Sequence, residues 1–94
     1  MGMMSGIKVL DLSTLYAGPM IATLLGDHGA DVIKVEHPRG DDARRWGASK
    51  GDVSLFWKVL SRNKKCMAVD MNSEDGQEII RRLIVEADVI IENF

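Results

Sequence analysis

The residues able to do chemistry gather in short turns that follow apolar runs. Ser13-Thr14-Leu15-Tyr16-Ala17-Gly18-Pro19 comes directly after Val9-Leu10-Asp11-Leu12. A turn of small residues at the carboxyl end of a strand lets a ligand approach bare backbone, and a helix that starts there offers unpaired N–H groups to an anion such as a phosphate. Glu36 to Pro38, Val69 to Asn72 and Glu92 to Phe94 close three further apolar runs in the same way. Arg39, Arg44, Arg45 and the run Arg62-Asn63-Lys64-Lys65 are candidate phosphate partners, the plainer reading of each being a solvated charge.

Other chemistries find little support. His28 and His37 stand alone, without a second ligand at metal-binding spacing, so no metal site is expected. Asp41-Asp42 looks like a carboxylate pair, but in a Gly-rich loop such residues are expected to make turns and solvent contacts. The single cysteine, Cys66, excludes an internal disulfide and is expected to be a small buried strand residue. Glu36 lies at about the distance beyond Gly18 where a dinucleotide-binding acid would hold a ribose, yet neither G-x-G-x-x-G nor G-x-x-x-x-G-K-[ST] is present.

The elements that must position these turns alternate strand and helix. Ile7 to Leu12 is expected as a first strand, and Val32 to Val35 as a second. Between them Pro19 suits a first helical turn, Ile21, Leu24, Leu25 and His28 recur at helical spacing, and Gly29 suits a left-handed cap. His37 to Asp52 is expected as a surface loop, Ser54 to Leu60 as a short helix, and Cys66 to Val69 as a third strand. Ser73 caps a long helix with Glu74 and Asp75 in its first turn. Ile79, Ile80, Leu83, Ile84 and Ala87 share the face turned to a sheet. Val89 to Ile91 supplies a fourth strand. The alternation predicts an α/β fold, an open parallel sheet with crossover helices whose ligand sits outside the carboxyl ends of the strands.

At 94 residues the chain is expected to be one small domain, and its closing strand suggests the amino-terminal part of a longer protein. A net charge of −2 argues against general attraction to nucleic acid or anionic membrane. No apolar run has the length of a membrane span, and the start lacks a signal peptide's basic and apolar regions. A cytoplasmic location is therefore expected.

Taken with their order, several segments carry a resemblance: Val9-Leu10-Asp11-Leu12, Ala17-Gly18-Pro19, Gly26 to Glu36, Asn63-Lys64-Lys65, Val69-Asp70-Met71, and Ala87 to Phe94. From Gly6 to Phe94 the chain resembles the amino-terminal region of the class III CoA-transferases. The resemblance implies that residues 1–94 are the CoA-binding, Rossmann-like segment of a larger enzyme built as an interlocked homodimer. It places CoA contacts on Tyr16, Ala17, His37, Val69, Asp70, Met71, Asn72, Asn93 and Phe94. It further implies acyl-CoA and carboxylic acid substrates, CoA as part of the substrate with no tightly bound cofactor, and an aspartate nucleophile downstream of Phe94. That nucleophile would divide acyl transfer into easier covalent steps. None of Asp11, Asp27, Asp31 or Asp70 is expected to take its place, Asp11 and Asp31 being read as strand-edge residues.

Family members often carry arginine at the place of His37 and lysine at that of Asn72, and a neutral histidine does not replace a bidentate guanidinium. Two alternatives stay open. The related 2-methylacyl-CoA racemases share the fold but use an acid–base pair beside the thioester. A non-catalytic CoA- or nucleotide-binding module is the other.

Overall fold

A computed structural model describes residues 2–94. In chain order the elements are β1 (Lys8–Asp11), α1 (Ala17–Asp27), β2 (Asp31–Glu36), a 3-10 turn (Asp42–Arg45), β3 (Ser49–Lys50), β4 (Val53–Ser54), α2 (Leu55–Leu60), β5 (Lys64–Ala68), α3 (Glu74–Glu86) and β6 (Val89–Ile91). The four longer strands form one parallel sheet in the order β5-β2-β1-β6, with Val9 opposite both Val32 and Val89. The small strands β3 and β4 make an antiparallel hairpin inside the segment expected as loop.

Strand residues alternate between two faces, and each face has its own core. Val9, Val32 and Ile91 pack with Ala22 and Ala30 on the α1 side. Leu10, Leu12, Val35 and Val69 pack with Ile80 on the α3 side, where Leu83 and Ala87 join them. A satellite cluster of Ala43, Trp57 and Leu60 takes in Met20 and so ties α2 to α1.

The helix expected from the spacing of Ile21, Leu24, Leu25 and His28 is present as α1, but those residues do not all face the sheet. Ile21 and Leu24 are about half exposed, whereas Gly18, Pro19, Ala22 and Thr23 are buried. Small residues let this helix lie close against the sheet; of its larger side chains Leu25 packs against the α1-side core and Met20 against α2, while Ile21 and Leu24 are turned outward. On α3, Ile80 and Leu83 face the sheet as expected, while Ile79 and Ile84 sit on the exposed flanks. Gly29 adopts φ 102°, the left-handed conformation that ends α1, and Ser73 accepts the Gly76 N–H at 2.9 Å to cap α3.

Cys66 is exposed, contrary to expectation. It lies on β5, which is at the edge of the sheet and, among the described residues, pairs only with β2.

Candidate functional site

Because the strands are parallel, the four turns that follow them share one edge of the sheet. Along that edge come Val69–Asn72 after β5, His37 after β2, the Ser13–Gly18 turn after β1, and Asn93-Phe94 after β6. The chain runs outward from β1 through β2 to β5 and then returns to β6, so the switch of direction falls between β1 and β6, where open α/β sheets take their ligands. The Ser13–Gly18 turn fits tightly there. A Cβ on Gly18 would lie 2.4 Å from Ser13 Cβ, so this position admits only glycine without displacement.

Beneath the turn lies a group of buried charges. Lys34 and Asp11 are fully buried, and the side chains of Asp41 and Lys64 are about 1% exposed. Lys34 Nζ donates to the Ser13 carbonyl and lies 3.2 Å from Asp41 Oδ2 and 3.8 Å from Asp11 Oδ2. Lys64 Nζ donates to Asp11 Oδ2 at 2.9 Å and to the Pro19 carbonyl at 2.8 Å. Burial pulls the Lys64 ammonium below its ordinary pKa, although the charge of Asp11 opposes the shift. Glu36 receives Arg44 at 2.6 and 2.7 Å through both oxygens and also accepts the Asp41 N–H at 2.9 Å. Burial alone would raise the Glu36 pKa, but these hydrogen bonds and the nearby cations outweigh it and hold the carboxyl below its usual value. The Arg44 guanidinium in turn lies over the Trp57 ring at 4.3 Å.

These contacts correct several expectations. Asp11, the last residue of β1, is also an enclosed ion-pair centre. Asp41 is buried and caps the 3-10 turn by accepting the Ala43 N–H at 2.9 Å; only Asp42, paired with Arg45, is exposed as expected of that pair. Arg44, though about 41% exposed, is paired with Glu36, the buried Lys64 is paired with Asp11, and Arg62 is engaged by Asp27 at 2.7 Å, so none of the three is a free solvated charge. One signal for the buried group is present in the residues themselves. Lys34 and Glu36 interrupt the apolar run of a strand that a parallel sheet covers on both faces, and a charge there must find a partner.

The candidate contact residues are brought to one edge but differ in what they present. Tyr16 is about half exposed, with its ring 6.1 Å from that of Phe56, and Ala17 opens α1 in an exposed position. His37 is exposed and lines a hollow with about 430 Å³ of open space, together with Thr14, Leu15, Arg39 and Asp41. Its Nδ1 accepts the Arg39 N–H at 3.2 Å. The Val69 side chain is in the α3-side core, so only its backbone belongs to the edge. Asp70 turns its carboxylate back to the Asn72 N–H at 3.0 Å, and Met71 is half-buried. Asn93 exchanges two hydrogen bonds with Thr14: its Oδ1 accepts the N–H at 3.0 Å, and its Nδ2 donates to the carbonyl at 2.7 Å. Phe94 is 80% exposed.

Among the described residues no group of three His, Cys, Asp or Glu side chains is placed to hold a metal, and no helix is long and apolar enough to cross a membrane.

Strand order and edge together define a doubly wound, Rossmann-like α/β unit. Residues 4–94 match the family model for CoA-transferase family III, and the chain belongs to that family. It is 44% identical over 90 residues to the succinyl-CoA–D-citramalate CoA-transferase of Chloroflexus aurantiacus, covering 94% of this chain and 22% of that protein. Against the succinyl-CoA:glutarate CoA-transferase of Homo sapiens it is 44% identical over 93 residues, covering 97% and 21%. The crystal structure of a CAIB/BAIF family protein from Brucella suis matches with a TM-score of 0.91 and 42% identity, covering 99% of this chain and 26% of that one. The chain thus spans about a fifth of the length of the curated relatives it matches.

Proposed function

We propose that this chain forms the CoA-binding part of an enzyme that moves CoA between an acyl-CoA thioester and a carboxylic acid. The observation that carries the reading is the single edge on which four post-strand turns lie, in a chain whose relatives are named for CoA transfer. In this reading the exposed Ala17 admits the ligand to backbone, Phe94 offers a ring for the adenine, and the Asp70–Asn72 turn closes the far side. His37 stands at the phosphates as a weaker partner than arginine. CoA is part of the substrate and no resident cofactor is needed.

The reacting carboxylate is not one of those described above. Asp11 and Asp41 are enclosed and neutralised by Lys34 and Lys64, so neither is free to attack a thioester. We assign the nucleophile to a carboxylate outside these residues, and the working form to a homodimer in the cytoplasm. Succinyl-CoA is the first donor to test, because relatives are named for it.

The test incubates the intact protein with succinyl-CoA and a set of carboxylic acids, and follows new CoA esters by chromatography and mass spectrometry. Appearance of an acceptor's CoA ester supports transfer. Exchange of the α-proton for deuterium in a 2-methylacyl-CoA, with no acceptor consumed, would replace it with racemisation.

A further inference from the structure

Five consecutive backbone polar groups in the Ser13–Leu15 turn are each held by a side chain from elsewhere in the fold. Asp11 Oδ1 accepts the Ser13 N–H at 3.0 Å, and Lys34 Nζ donates to the Ser13 carbonyl. Asn93 takes both groups of Thr14. Asp41 Oδ1 accepts the Leu15 N–H at 3.3 Å. Among the described residues no helix or strand ladder serves these groups, and Leu15 itself has φ 69°, a left-handed conformation that disfavours a branched side chain.

We propose that Asp41 and Lys34 are positioning residues that clamp the β2–α2 loop across this turn and hold Leu15 in its left-handed conformation, so that the start of α1 is presented to CoA in one fixed shape. The proposal rests on the CoA reading above. Asp41 is suited to the task because its two oxygens are divided: Oδ1 holds the N–H groups of Leu15 and Ala43, while Oδ2 accepts no hydrogen bond among the described residues and faces the Lys34 ammonium at 3.2 Å. Lys34 therefore joins the acceptor that fixes Leu15 to the carbonyl of Ser13 two residues earlier. A turn held in advance loses less freedom on binding, which shows as affinity for the part of the substrate that rests on it.

Asp41→Leu in the intact protein removes the acceptor at similar bulk. The expected result is a KM for the acyl-CoA raised about tenfold, with kcat at saturation unchanged, because the clamp touches the coenzyme's resting place and not the reacting atoms. Adding Leu15→Gly should restore most of the KM, since glycine takes a positive φ without being held. If Asp41→Leu does not accumulate as folded protein, Asp41→Asn with the same Leu15→Gly addition gives a smaller change in the same direction. An unchanged KM in the folded variant, or no recovery with Leu15→Gly, would overturn the proposal. Hydrogen exchange of the peptide spanning residues 12–18, measured without ligand, separates this outcome from failure of the CoA reading. If the unaltered protein shows no saturable use of acyl-CoA, that reading falls, while faster exchange in Asp41→Leu still supports the clamp and unchanged exchange still overturns it.

Discussion

Gly76→Ala sets two effects of opposite sign against each other at one atom. Alanine is favoured over glycine in a helix by up to about 1 kcal/mol, less near the ends, so α3 considered alone would gain. Yet a Cβ at this position would lie 1.8 Å from the Asp70 carbonyl oxygen, 2.7 Å from its carbon and 2.9 Å from Ser73 Oγ. To reach an ordinary contact the start of α3 must withdraw by roughly 1.5 Å, into backbone that cannot rotate aside. Overpacking of this kind costs about 1–3 kcal/mol and sometimes more, so the clash wins and the expected net loss is about 2 kcal/mol. Gly26 of α1 provides the control. Its added Cβ would meet Asn63 Cβ at 3.3 Å and Val32 Cγ2 at 3.4 Å, which small side-chain shifts can absorb. Urea unfolding of the intact protein, followed by circular dichroism, should place the Gly76→Ala midpoint lower by about 1 M for a slope near 2 kcal/mol per M. Gly26→Ala should stay close to the unaltered protein. A Gly76→Ala midpoint at or above the original, or one equal to that of Gly26→Ala, would refute the steric reasoning.

Two further outcomes follow from the ionisable groups. The Glu36 pKa is lowered in the folded protein, so its contribution to stability is present above the ordinary value of 4.5 and is lost as pH falls through the lowered value; Glu36→Gln should therefore flatten the acid limb of a melting-temperature profile below pH 4.5. Burial and the Glu36 charge push the Cys66 thiol upward despite its exposed position, so alkylation by iodoacetamide should be slow at neutral pH and climb past pH 9.0, and a rate already level at pH 8 would contradict this.

Much of the fold is legible in the residues. The strand run Val32 to Val35 lies within β2, and Val89 to Ile91 coincides with β6, because short β-branched runs between turn residues carry little helical character. Ser73 and its acidic neighbours mark the start of α3 equally well. The inner face of α1 was not legible. Ile21, Leu24, Leu25 and His28 recur at helical spacing, yet the residues buried on this helix are Gly18, Pro19, Ala22 and Thr23. Periodicity reports which face is apolar, and close approach selects for small size instead.

The edge of turns was readable for the same local reason: strand direction and a crossover connection place every carboxyl end on one side. What occupies the side chains at that edge was not readable. Asp41 and Arg44 looked like members of a polar loop, and Lys64 like part of a basic run, until the sheet brought them against Lys34, Glu36 and Asp11.

The amino-acid sequence by itself determined the alternation of strands and helices, their caps, and the four turns that meet at one edge, because each depends on residues within a few positions of one another. Only the tertiary structure decided which charges are buried and what they hold. Lys64 finds Asp11 across 53 positions, and Asn93 finds Thr14 across 79. A charge removed from water takes whichever partner the fold places beside it, and that choice depends on distance in space, which no local pattern records.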